Sequence, residues 1–228
     1  MSANKSSLAQ ATAAQTGSSG NLTTQERPVG PFSQVENDTL LPVFIVDGPQ
    51  SVSVTVDANL QSKVLTTVKD GVLTITTSEF IAEVEDGSKV QISATALSAI
   101  TVAGSGPVSA TITPAANLAL SVKSSGILSF NGTAQAVNAQ VSGSGGMFLQ
   151  GTTQSLDTQL RSSGYLDARL LPVSGAASLI NEGSGPLTAT ANGTVSIELR
   201  SSGLITWFGS ATVTKRVRTG SGLIIHLP

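Results

Sequence analysis

The tripeptide Gly-Ser-Gly or Ser-Ser-Gly returns seven times in the second half of the chain, at 104–106, 124–126, 143–145, 162–164, 183–185, 201–203 and 220–222. Successive third glycines stand 20, 19, 19, 21, 18 and 19 residues apart. A short fixed period of this kind describes a solenoid, in which each repeat is one supersecondary unit that is stable only when stacked on its neighbours. The Gly and Ser columns belong at a corner, where small side chains and positive φ are useful.

Two residues after the third glycine stand Val108, Leu128, Met147, Leu166, Leu187, Ile205 and Ile224, an apolar column throughout. Four residues after it stand Ala110, Phe130, Leu149, Ala168, Ala189, Trp207 and His226. The step of two between these columns is that of a strand with one buried face. Phe130 and Trp207 should be the large residues of the second column, with the alanines filling the narrower places. Before each corner the last apolar residue is Val102, Val122, Val141, Leu160, Ile180, Leu199 or Val217, and the fifth and seventh repeats need a one-residue bulge to fit this rule. A second turn signal recurs near mid-repeat, at Asn131-Gly132, Gly151-Thr152, Asn192-Gly193 and Gly209-Ser210.

These patterns predict an all-β chain, a parallel β-helix of about seven rungs of 19–20 residues over 100–228. A rung of that length traces roughly 60 Å of extended chain, enough for about three short strands. A 38-residue coil holding one GSG and one SSG corner is the alternative register. Residues 27–99 form a β-rich capping segment: Val52, Val54 and Val56 alternate, and Lys69-Asp70-Gly71 and Glu85-Asp86-Gly87 read as turns. Residues 1–26, largely Ser, Ala, Gln and Thr, read as a disordered tail or tether. Such a tract commonly follows a removed export signal, and no apolar signal core is visible after Met1. No run of apolar residues approaches a membrane span.

The opening Arg27-Pro28-Val29 with Phe32, then Val52-Ser53-Val54-Thr55-Val56, Asn59-Leu60, Gly71-Val72-Leu73-Thr74-Ile75 and the SG corners resemble the bacterial putative auto-transporter adhesin, head GIN domain family. The resemblance runs from about Arg27 to the end and implies a β-helical protein exported to the cell envelope or surface. The acid that frequently follows the family's corner is replaced here by Pro107, Ile127, Gly146, Tyr165, Pro186, Leu204 and Leu223.

The residues argue against chemistry in the repeats. There is no cysteine and one histidine, His226, so neither a thiolate nor a transition-metal site is expected, and no cofactor. The serines of the corners have no histidine partner to activate them. Asp157, Asp167, Glu182 and Glu198 are the only repeat acids, which leaves the β-helix carbohydrate-active enzyme a weaker alternative to an interaction module, beside an envelope scaffold without a specific ligand. Residues 1–99 carry ten acids and five bases, residues 100–228 four acids and seven bases, too few to indicate a nucleic-acid partner. Directly after the last apolar residue stand Ala103, Lys123, Ser142, Arg161, Asn181, Arg200 and Arg218. Lys123, Arg161, Arg200 and Arg218, with Tyr165 across the corner, are therefore expected to form a cationic stripe for an anionic glycan or a surface protein, with Glu182 within reach of the arginines.

Overall fold

The computed structural model describes residues 20–228, with the side chains of 113–115 outside that description. Its described elements are all strands, without an α-helix. The repeats form a parallel β-solenoid. Val108 pairs with Leu128, Leu128 with Met147, Met147 with Leu166, Leu166 with Leu187, Leu187 with Ile205, and Ile205 with Ile224. Each repeat is thus one full coil, and the 38-residue coil is ruled out, because it would bring only alternate members together.

Two ladders, not three, run up the stack. In the coil from Pro186 to Leu199, for example, the strands are Pro186–Ala191 and Thr194–Leu199. The SG corner takes up the residues that a third strand would need. The first ladder passes through Val108–Val122, Ile127–Val141, Gly146–Leu160, Tyr165–Val173, Pro186–Ala191, Leu204–Phe208 and Leu223–Leu227. The second passes through the later halves of the three long strands and then Ala176–Asn181, Thr194–Leu199 and Thr212–Arg218. Side chains alternate in and out along both, so one continuous aliphatic core fills the space between them. Phe130 and Trp207 are buried in the expected column, Phe130 pairing with Ala110 and Trp207 with Ala189. His226 follows Trp207 in that column and stacks on its ring at 3.6 Å and 5°, with Nε2 2.9 Å from the Gly209 carbonyl.

The SG glycines are required for a reason other than positive φ. None of them has it; among the described glycines positive φ occurs at Gly20, Gly48, Gly71, Gly87, Gly151 and Gly209. What they need is room. A Cβ on Gly145 would lie 2.0 Å from the Gly126 carbonyl oxygen, and one on Gly185 1.6 Å from that of Gly164. Corners stack backbone on backbone, and a side chain there would occupy the neighbouring peptide.

The alternation of GSG with SSG has its own cause. The first serine of each SSG, Ser124, Ser162 or Ser201, donates its hydroxyl to the carbonyl of Gly104, Gly143 or Gly183 in the rung before. The same oxygen accepts the N–H of Gly126, Gly164 or Gly203 in its own corner at 3.3 Å. In the other rungs the position is closed to any side chain: a Cβ on Gly143 would sit 2.1 Å from the Ser124 carbonyl oxygen.

The one-residue bulge expected before the fifth corner is absent, and the one in the seventh coil lies further back, at Thr214, rather than next to the corner. Asn181, not Ile180, pairs with Leu160 and Leu199 and is fully buried, and Arg218, not Val217, pairs with Leu199. The rule that this column must be apolar fails because an amide serves the corner better. The Asn181 side chain donates to the Gly185 and Leu204 carbonyls at 2.9 and 3.1 Å and accepts the Gly183 N–H at 3.0 Å. With this register the paired residue stands four steps before the third glycine in every repeat, buried in each but the last, where Arg218 is exposed.

An eighth corner precedes the seven. Asn37 pairs with Val102, its amide donates to the Leu41 carbonyl at 3.1 Å, and Leu41 N–H bonds to Thr39 Oγ1 at 3.0 Å. Thr39-Leu40-Leu41 therefore repeats the SSG arrangement without its glycine. Beyond it the parallel stack ends in antiparallel strands. Ser51–Asp57 pairs antiparallel with Lys89–Ala94, and Val64–Lys69 with Val72–Thr77. Leu22–Glu26 pairs with Asp57–Ser53 and belongs to this cap, so the end of the expected tail is a strand; residues 1–19 of that tail lie outside the described part. A cap of this kind closes the edges that an open solenoid would expose.

Candidate functional site

Two surfaces flank the corner, one before it and one after it. Before it, the backbone N–H groups of Lys123, Ser142, Arg161, Glu182, Arg200 and Thr219 each donate to the inward residue of the preceding rung, so these side chains share one column. Lys123, Arg161 and Arg200 stand in it as expected. Arg218 does not: it pairs with Leu199 one step earlier and turns to the Ser221 carbonyl at 3.3 Å. Its place in the stripe depended on a bulge next to the corner, and the bulge of this strand lies earlier, at Thr214. Glu182 enters the column in place of Asn181 because no bulge precedes its corner.

Glu182 binds both its neighbours, Arg161 Nε at 3.4 Å and Arg200 Nη1 at 3.0 Å. Arg200 also pairs with Glu198, which Lys215 holds from the next rung. Lys123 faces Glu36 at 3.8 Å. The flank is thus a ladder of alternating charge with its three cations about half exposed. The Glu198 carboxyl is held below its ordinary pKa, first by the hydrogen bond from Lys215, against the pull of burial, and then by Arg200.

After the corner, the outward face of the first ladder carries a groove of about 700 Å³. One of its columns runs Ser109, Ser129, Phe148, Asp167, and the next runs Thr111, Asn131, Gln150, Leu170. Phe148 is 44% exposed, its ring 5.1 Å from that of Tyr165 at 57°. Tyr165 lies where a side chain on Gly146 would be: a Cβ there would fall 2.0 Å from the ring. Burial raises the Tyr165 pKa and the Asp167 charge adds to this. Burial also pulls the Asp167 carboxyl up, but the hydrogen bonds and charge of Arg169 outweigh it and leave it below its ordinary value. Arg169 Nε reaches both carboxylate oxygens at 3.0 Å and Nη2 reaches Oδ2 at 2.5 Å.

The groove wall comes from an irregular strand. Tyr165–Val173 loses register with both neighbours, between Phe148 and Gln150 on one side and between Ala168 and Val173 on the other. The extra residues push out Leu170, 66% exposed. Sequence reasoning found Tyr165 and weighed Asp167 only as a catalytic acid, and it missed Phe148, Arg169 and Leu170. The signal was the 21-residue gap, the longest between corners, which marks the coil that carries the insertion.

Asp157 and Asp167 lie on different ladders, Asp157 pairing with Ser178 and Asp167 with Thr188, and do not form a pair. Among the described residues no group of three or more His, Cys, Asp or Glu is placed to hold a metal ion. Among them, too, no helix is long and apolar enough to cross a membrane.

The family model described as "Putative auto-transporter adhesin, head GIN domain" matches residues 31–211. The fold is shared with a putative adhesin from Bacteroides fragilis at 24% identity, covering 92% of this chain and 98% of the other with a TM-score of 0.79. A putative lipid binding protein from Parabacteroides distasonis is 20% identical over 92% and 98%, with a TM-score of 0.70. A putative adhesin from Parabacteroides merdae is 18% identical over 92% and 98%, with a TM-score of 0.64. No curated protein matches the chain.

Proposed function

The chain belongs to the putative auto-transporter adhesin, head GIN domain family, and from that premise we propose that it is a non-catalytic interaction module working at the cell envelope or surface. The family supports the location and the class of role. The observation that carries the non-catalytic reading is the state of the carboxylates. Asp167 and Glu198 are both shifted downward by paired cations. A glycosidase acid needs the opposite shift, so that it holds a proton near neutral pH. Each of these acids is instead spent on fixing a surface cation. Release of reducing ends from a panel of envelope and plant polysaccharides would overturn this reading; none is expected.

Lys123, Arg161 and Arg200, with Tyr165 across the corner, are the flank proposed to meet an anionic glycan or an acidic surface protein. An incoming polyanion would compete with Glu182 for two arginines already aligned by it. Exposed cations attract through a screened field, so binding should fall steeply with salt. The test is the triple change Lys123→Ser, Arg161→Ser and Arg200→Ser, assayed on heparin and polygalacturonate. Weakened binding with an unchanged melting profile supports the flank. Binding equal to the parent's makes it a solvated face.

A further inference from the structure

The groove after the corner has chemistry unlike that of the charged flank. Its one carboxylate and its one guanidinium, Asp167 and Arg169, are bound to each other, so it offers a polar wall with no net charge. Beside Asp167 on the neighbouring strand is the exposed ring of Phe148, buttressed by Tyr165. Asn131 and Gln150 add planar amides that both donate and accept, and Ser109 and Ser129 add hydroxyls. The lining columns span four rungs, roughly 14 Å along the axis at the spacing of paired strands.

A ligand for this surface must have an apolar face to lie on an aromatic ring, hydroxyls around its edge and no net charge. From this we propose that the groove binds a neutral saccharide chain running along the solenoid axis. A pyranose places its C–H face on Phe148 and directs its hydroxyls to Asp167, Asn131 and Gln150. Asp167 is kept ionised by Arg169 and so remains an acceptor throughout the neutral range. An acyl chain fits poorly, because the Asp167–Arg169 pair and the two amides interrupt the apolar lining. An extended peptide fits poorly too. The rungs here are interior, with a neighbouring strand on each side, so no strand edge is free for strand addition.

The proposal goes beyond the charged flank and stands if the flank binds nothing. It is tested by titrating the full chain with cellohexaose, maltohexaose and mannohexaose, following backbone amide signals by NMR. At least one of the three should shift the signals of Phe148, Gln150 and Leu170, with an affinity unchanged by 0.5 M salt. Phe148→Ala should weaken that binding at least ten-fold, and Asp167→Asn should also weaken it. Phe148 faces outward, so its variant should keep the parent's amide spectrum away from the groove. The proposal is overturned if all three hexaoses leave these signals in place at 10 mM. It is equally overturned if laurate or a random neutral peptide pool shifts them while the hexaoses do not, or if Phe148→Ala binds as tightly as the parent.

Discussion

At the SG corner, four steps separate the last ladder residue from the third glycine in every coil, whereas the stretch through the opposite turn varies from twelve steps between Leu187 and Leu199 to fifteen between Leu166 and Asn181. The register shifts of the repeats also fall on that variable side, between Gly132 and Ala134, Phe148 and Gln150, Ala168 and Val173, and Val195 and Ser196. Both turns use glycine where backbones approach closely. The opposite turn has one serine bridge between rungs, from Ser174 to the Thr153 carbonyl at 3.3 Å, whereas the corner repeats its bridge in alternate coils and adds, in two coils, a buried asparagine tied to the corner peptides. One turn therefore fixes the register of the stack, and the other absorbs insertions. The longest insertion is the one that shapes the groove. A solenoid built this way can vary its surface on one side without disturbing the ladder on the other.

The comparison is broken most directly at a corner glycine. Gly185→Ala should lose about 3 kcal/mol or more, the upper end of overpacking, since its Cβ would lie 1.6 Å from a backbone oxygen that has nowhere to go. Gly175→Ala in the opposite turn, where the Cβ would stand 2.6 Å from the Gln154 carbonyl, should lose only about 1 kcal/mol because that turn can shift. Urea unfolding of the two variants measures the contrast.

Next in size is Asn181→Leu, which gives the column the apolar residue its neighbours have. It should destabilise by about 1–2 kcal/mol, because the Gly185 and Leu204 carbonyls lose the amide donor and the Gly183 N–H keeps only its bond to the Leu160 carbonyl. Stabilisation by this change would show that the amide is not what holds the corner. Ser201→Ala should cost about 1 kcal/mol, the worth of the bridge to Gly183.

The smallest effect lies on the variable side, in the Asp167–Arg169 pair. The Asp167 pKa is lowered in the folded chain, so its contribution is present above the ordinary carboxylate value and is lost as pH falls through the lower folded value. The melting temperatures of the parent and Asp167→Asn should differ at pH 7 and converge near pH 2. A gap that widens on acidification would reverse the sign of the shift.

The period, the two inward columns and the second turn were legible in the sequence because small residues and apolar side chains repeat there at fixed steps. Trp207 and Phe130 were placed correctly by the step of two alone. The column before the corner was not: at Asn181 because an amide satisfied by the corner looks like a surface residue, and at Arg218 because the bulge at Thr214 leaves no mark in hydropathy. The second misplacement carried Arg218 into the cationic stripe, and the first kept Glu182 out of it. The N-terminal corner was invisible for a related reason. Thr39-Leu40-Leu41 keeps the hydroxyl and the geometry but has no glycine. The groove depends on which residues an insertion pushes outward, and spacing gives the length of an insertion without its shape.

The central claim is that the corner sets the register and the opposite turn does not. Its most direct test is a pair of single-alanine insertions in one coil, one between Ser163 and Gly164 and one between Ser174 and Gly175, each beside an exposed residue. Calorimetric melting reads them on one scale, at about 3 °C per kcal/mol for a domain of this size. The corner insertion should abolish the cooperative transition or lower it by more than about 10 °C, and the other should lower it by about 3 °C or less. Equal losses, or a larger loss at Ser174, would contradict the claim.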